Sequence, residues 1–353
     1  MRGLTISAHG GTEQVEYRDD LAVPALRAPT DVRVRMRAAA LNHLDLFLLK
    51  GLPGVTITPP FILGTDGTGV VESIGPDVTA VSVGDTVVIN PGVSCRACEY
   101  CRGGEQPLCP RFGVLGEHQP GMMADFMVVP EWNVLSIPAH VDTAEAAAFT
   151  LATITAYRML VSRAQLRAGE HVLIWGIGGG VALACLQIAK LLGAYVTVTS
   201  GSDAKLDAAI ALGADASINH RGTDVGREMR ARTSKRGVDV VVDSVGEATW
   251  TQSLGALGRR GRLVTCGGTS GPMVTTDVRK LFWNQWSLLG STMGNDAEFA
   301  AVVHHLRAGQ LRPPIDRVYP MAEGRAAFER LERAEQFGKI VVRIDDAAVM
   351  TGG

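Results

Sequence analysis

The chain has 353 residues, of which 46% are hydrophobic and 20% charged, and its formal net charge is −2. That is enough for two domains and a large buried core, and the absence of a basic block excludes a nucleic-acid partner held through phosphate contacts. The opening MRGLTISAHGG lacks the sustained apolar run of an export signal. The best membrane candidate, AAAFTLATITAY, is bounded by Glu145 and Arg158 and falls short of the about 20 apolar residues a span needs. A cytoplasmic protein that does not enter membranes is expected.

In chain order, the first part reads as an irregular, mostly antiparallel β domain. In DVRVRMRAAAL, Val32, Val34 and Met36 alternate with Arg33, Arg35 and Arg37, as in a half-buried strand. GTGVVESIG, GDTVVIN and ADFMVVP are further short strands set off by turns. Between them lies CRACEYCRGGEQPLC, which spaces Cys95, Cys98, Cys101 and Cys109 as C-x2-C-x2-C-x7-C. Four thiolates in one short loop close a tetrahedral zinc site with no coordination position left for water or substrate, so one structural zinc is expected. The remaining cysteines, Cys185 and Cys266, lie on apolar elements and read as core residues.

Asp142 followed by Glu145 resembles a capping box opening one long buried helix towards Leu160. Strands and helices then alternate: HVLIWG, VALACLQIAKLLG, AYVTVTS, SDAKLDAAIALG, VDVVVDSVG, GRLVTCGG and WSLLGST. Apolar strands alternating with helices imply a parallel sheet covered on both faces. The tail carries two helical stretches, Ala297–Arg307 and Ala322–Phe337, and a last strand, KIVVRI.

In VLIWGIGGGVALACLQ, a buried strand runs into Gly176, Gly178, Gly179 and Gly180 and then into a helix. Glycines there let a pyrophosphate approach the free N–H groups of the helix start, although Val181 holds the third glycine position of a G-x-G-x-x-G pattern. The next strand ends VTVTSGSDAK. Ser200, Gly201 and Ser202 offer hydroxyls and room but no carboxylate for a ribose 2′-OH, and Lys205 adds positive charge. This pattern favours NADPH over NADH, unless Asp203 serves as a late acid or Lys205 is a plain solvated residue.

These motifs together resemble the medium-chain dehydrogenase/reductase superfamily, which includes zinc alcohol dehydrogenases and quinone oxidoreductases. The likeness rests on GTDGTGVVESIG, VGDTVVI, the four-cysteine lobe, WGIGGGV, VDVVVDSVG, GRLVTCGG and GKIVV. It implies an α/β protein with a GroES-like, β-rich catalytic domain at 1–145, a Rossmann domain with a doubly wound parallel sheet at 146–292, and a tail, 293–353, returning to the catalytic domain. It also implies hydride transfer from a nicotinamide, and assembly as a homodimer or homotetramer.

Matched motif by motif, the ligands of the family's catalytic zinc fall on Asn42, on Thr65 with Asp66 in the place of the His-Glu pair, and near Leu151. The proton-relaying hydroxyl falls on Leu44. The resemblance thus implies a chain that keeps the shaping zinc and lacks the catalytic one, and ALNHLD is similar to the zinc-free quinone oxidoreductase branch. His43, Asp45 and Asp66 offer the atoms for a rebuilt metal site, but their spacing forms no recognised triad. Without a Lewis acid, conjugated acceptors are the easier substrates, which points to reduction of a quinone or an α,β-unsaturated carbonyl, apolar if Met122, Met123 and Phe47 line the pocket.

The resemblance places Asn42, Asp45 and Thr155 at the nicotinamide end, with Asn42 donating to the oxyanion and His43 as candidate proton donor; His43 as a structural histidine and Asp45 as a helix cap stay open. At the adenosine end it matches Gly201, Lys205 and, at a tyrosine position, His220, with Arg221 beside it. Ser244, Val245 and Gly246 are expected to skirt the adenine or ribose, and Gly267 and Gly268 to pass near the nicotinamide. Lys339 is expected to reach the cofactor from the tail, or else to be a surface lysine. Two further readings remain: a zinc alcohol dehydrogenase with atypical ligands, and a non-catalytic NADPH-binding sensor or scaffold.

Overall fold

The structure, a computed structural model, describes residues 1–345. It divides into two compact units, one built from Met1–Ala152 and the segment from Gly294 on, the other from Thr153–Met293.

The first unit centres on the strand Asp31–Ala40, whose Val32, Val34 and Met36 are buried. It pairs antiparallel with Asp66–Ile74 along one edge and shares the other between Phe126–Pro130 and Lys339–Arg343. Thr86–Ile89 and Val134–Ser136 extend the sheet on one side, and Ile315–Pro320, parallel to Lys339–Arg343, on the other. In this register Ala40 lies opposite both Asp66 and Val341. The chain end of one strand and the starts of two others therefore meet at one place.

In the second unit six parallel strands run in the order Ala216–Asn219, Tyr195–Ser200, His171–Ile174, Val238–Val242, Leu257–Thr265, Ser287–Gly290. By sequence this is 3-2-1-4-5-6, the doubly wound dinucleotide-binding order, in which ligands bind where the order reverses. Here that point lies between His171–Ile174 and Val238–Val242. The interior strands read as apolar runs because both faces are covered: Leu173, Val241 and Leu263 are fully buried.

Two expectations are corrected. The long helix from Asp142 to Leu160 is broken into Thr143–Ala147, Thr150–Tyr157 and a wider turn, Arg158–Arg163. Asp142 does cap the start, accepting from the N–H groups of Ala144 and Glu145. The break follows from Leu151, whose N–H is given to Asp66 Oδ1 at 2.6 Å rather than to the helical ladder. In the tail, the stretch expected to reach Phe337 stops at Glu332, and Ala334 takes a left-handed φ of 53°. Among the described residues no helix is long and apolar enough to cross a membrane.

Candidate active site

The convergence at Ala40 brings four polar side chains together inside the first unit. Asn42 precedes the helix His43–Lys50, Thr65 immediately precedes the strand that Asp66 starts, and Lys339 starts another. Lys339 Nζ donates to Asn42 Oδ1 (2.5 Å) and Asp66 Oδ2 (3.0 Å). These two bonds fix the amide's orientation, because an ammonium needs an acceptor. Asn42 Nδ2 then donates to Thr65 Oγ1 and Asp66 Oδ2, both at 2.9 Å. The cluster is dry: Lys339 is 4% exposed, and Asp66 and Thr65 are 0% exposed. Lys339 is thus no surface lysine.

Proton accounting assigns the roles. Both amide hydrogens of Asn42 are spent within the network, so the expected donation to an oxyanion would cost one of these bonds. An ammonium has three N–H donors, and Lys339 uses two. Asp45, fully buried, accepts the Asn42 backbone N–H at 2.7 Å, the helix-start role left open by the sequence. Burial pushes its carboxyl up to about 7, against the Asn42 N–H bond and the pull of Lys339. His43 is exposed on the first turn of that helix.

The cysteine lobe fits zinc on its own geometry. The four Sγ atoms lie within 4.8 Å of one another. The Cys95–Cys101 and Cys98–Cys101 separations, 3.9 and 3.4 Å, bracket the roughly 3.8 Å edge of a tetrahedron with Zn–S bonds of about 2.3 Å. Backbone N–H groups of Cys95, Cys98, Cys101 and Arg111 point at the sulfurs, favouring thiolates. The lobe is tied to the helix Asp296–Arg307 through Arg96 and Gln106, which both bond Asp296. Among the described residues, no other set of three or more His, Cys, Asp or Glu side chains is gathered closely enough to hold an ion. His43, Asp45 and Asp66 are not gathered in this way. Met122 and Met123 are fully buried in the core and line no pocket surface.

In the second unit the glycine loop turns at Gly176 and Gly178, with φ of 68° and 128°, conformations that favour glycine. Gly179 precedes the helix Gly180–Leu191, which has no side-chain cap. A Cβ built on Gly179 would meet nothing within 4 Å. The N–H groups of this helix start are therefore open to an anion. Val181 lies within the first helical turn.

At the end of Tyr195–Ser200, Ser202 N–H bonds Ser200 Oγ (3.1 Å), and Asp203 accepts from Asn219 Nδ2 (2.7 Å). The carboxylate of Asp203 is thus engaged with the neighbouring strand. A Cβ on Gly201 would lie 3.0 Å from Arg221 Nε and 3.2 Å from His220 Nε2, so these two side chains lean over the glycine. The Arg221 guanidinium has no carboxylate partner among the described residues. Lys205 stands on the first turn of the helix Asp203–Ala211.

The sequence reading missed Asp243. Fully buried, it accepts from the backbone of Val245 and Gly246 and from the hydroxyls of Thr249 and Ser253. It thereby sets the Ser244–Val245–Gly246 loop, which in turn accepts N–H bonds from Thr269 and Ser270, beyond Gly267 and Gly268. The signal was present as an acid ending an apolar strand, with hydroxyls six and ten residues on. Thr155 is buried, with its Oγ1 3.9 Å from Met293 Sδ.

Comparison with known proteins fits this geometry. Residues 28–139 match the alcohol dehydrogenase GroES-like domain and residues 180–308 the zinc-binding dehydrogenase family. A quinone oxidoreductase of Pseudomonas aeruginosa is 31% identical over 351 residues, covering 96% of this chain and 98% of its own. The chain belongs to the medium-chain dehydrogenase/reductase superfamily. A crystal structure of an NAD-dependent alcohol dehydrogenase superposes on this family member with a TM-score of 0.93 at 40% identity, covering 98% of this chain and all of that one. A crotonyl-CoA carboxylase/reductase of Cereibacter sphaeroides is 29% identical, over 92% of this chain and 82% of its own. This dehydrogenase/reductase is therefore a pyridine-nucleotide oxidoreductase with a zinc-type cysteine lobe.

Two outcomes test the site's architecture. Asp66→Ala leaves the Lys339 ammonium buried without its carboxylate and should cost about 3–5 kcal/mol in denaturant unfolding. Cys98→Ser should abolish bound zinc in elemental analysis and lower the melting temperature, since a structural site contributes folding energy.

Proposed function

We propose that this dehydrogenase/reductase is an NADPH-dependent reductase of quinones or α,β-unsaturated carbonyls that works without a catalytic zinc. One observation carries the reading: at the positions where the family's zinc ligands would fall, Asn42, Thr65 and Asp66 are bonded to one another and to an ammonium. A neutral amide and a hydroxyl are poor zinc ligands, the one carboxylate, Asp66, already accepts from the ammonium, Asn42 Nδ2 and the Leu151 N–H, and Leu151 contributes no ligand atom. Bound NADPH supplies the hydride. The chain's part is to hold the acceptor's oxygen in a positive field as charge develops there. Lys339, fixed in a dry cluster and with an N–H to spare, provides that field at no cost of reorganisation. The names of two relatives, a quinone oxidoreductase and a crotonyl-CoA carboxylase/reductase, agree with conjugated acceptors.

The preference for NADPH rests on the surroundings of Gly201. Asp203 is engaged by Asn219, while Arg221 leans over the glycine without an ion-pair partner, a suitable counter-charge for a 2′-phosphate. We further propose that copies associate through the edge strand Ser287–Gly290 and the exposed Phe282 and Trp283 beside it, giving the dimer or tetramer the family resemblance implies.

Elemental analysis of the purified enzyme should find one zinc per chain. Assays should find turnover of a quinone and enone panel with NADPH, and light scattering an oligomer. Two zincs with alcohol oxidation would favour the atypical alcohol dehydrogenase, and NADPH binding without turnover the sensor. Arg221→Ala should weaken NADPH binding about 10- to 100-fold, as loss of a charged hydrogen bond does, and leave NADH binding unchanged in fluorescence titrations. An equal effect on both cofactors would refute the 2′-phosphate role.

A further inference from the structure

Reduction of a conjugated carbonyl needs a proton as well as a hydride, and in the central network only the Lys339 ammonium keeps an unbonded N–H, whose proton could not leave without stranding the buried Asp66 charge. Asn42 holds its amide hydrogens in two bonds, Asp66 accepts three hydrogen bonds, and Asp45 is sealed in the core.

The loop that follows the strand Gly113–Val114 supplies a different group. Both of its ends rest on the segment leading into Thr65. Gly121, Met122 and Met123 donate their N–H groups to Ile62, Gly64 and Leu63 carbonyls at 2.8, 2.9 and 2.8 Å. At Gly116, with φ of 81°, a Cβ would lie 2.4 Å from Gly64 O and 3.0 Å from Thr65 Cγ2. The next residue is Glu117, whose side chain is 15% exposed. Its carboxyl makes no hydrogen bond among the described residues. Its one charged neighbour is His118, with Nδ1 3.7 Å from Glu117 Oε2. Burial pushes this carboxyl up and His118 opposes the rise. A carboxyl without donors, held above the ordinary range, is suited to general-acid work. His118 accepts the Val114 N–H at Nδ1 (3.3 Å), so the nitrogen facing Glu117 carries no proton, and the part-exposed Glu117 side chain meets solvent directly.

Building on the reductase reading, we propose that Glu117 is the proton donor of the reaction, resupplied from solvent. Bound NADPH would supply the hydride that forms the C–H bond at the β-carbon and would itself be oxidised, while the C=C electron pair moves to give an enolate. The Glu117 O–H then breaks, its proton passing to the α-carbon, and the carboxylate regains a proton from water.

The test uses the full-length enzyme, an enone substrate and NADPH. Glu117→Gln, in a part-exposed loop, should lower kcat about 10²- to 10³-fold while NADPH affinity holds. Wild-type kcat should fall as pH rises and Glu117 loses its proton, a limb that Glu117→Gln should lack and Glu117→Asp should restore. Unchanged kcat and pH profile in Glu117→Gln, or a loss confined to NADPH affinity, would overturn the proposal while leaving the reductase intact. A wild type that reduces no conjugated acceptor would overturn the reductase reading itself, and this step with it.

Discussion

One ammonium nitrogen organises the first unit. Lys339 Nζ lies in a nearly water-free pocket, and such a charge is tolerated only when paired and hydrogen-bonded. Its partners come from residues 42 and 66, brought in from across the chain. The pairing reaches further through Asp66, whose second oxygen takes the N–H of Leu151. Four segments distant in sequence are thus held by a single carboxylate and a single amide. Replacing one member strands the others, because each buried polar atom is satisfied by the rest.

Under the proposed reading, that arrangement lets a family scaffold associated with zinc work without a catalytic metal ion. A divalent ion polarises an oxygen through charge at short range; a fixed ammonium does so more weakly, yet needs no ligand set beyond an acceptor or two. Conjugated acceptors ask for less polarisation, since their charge spreads over several atoms. The chemistry proposed and the residues present are therefore matched in strength, while the cysteine lobe keeps its separate task of shaping a loop.

What the sequence made legible was local. The glycine turn, the four-cysteine spacing and the alternating strands are written in consecutive residues, and each is found where its pattern placed it. Contacts over long separations were not legible. Lys339 read either as a surface residue or as an arm towards the cofactor, because nothing near residue 339 signals burial beside Asp66. The helix from Asp142 read as continuous because its breaker, Asp66, lies 85 residues upstream. Asp243 and Glu117 were passed over because an isolated acid carries no periodicity; their surroundings, sets of donors in one case and none in the other, exist only in the folded chain.

The glycines beneath Thr65 carry a consequence for altering this enzyme. At Gly121 a Cβ would fall 2.4 Å from the carbonyl oxygens of both Leu63 and Gly64, and Gly116 is as tightly closed. Neither position can accept a larger residue without prying two backbones apart. Attempts to retarget the enzyme towards bulkier or smaller acceptors must therefore leave these two pegs and Glu117 alone and vary Gln119 and Pro120, exposed between them, while the backbone stays pinned.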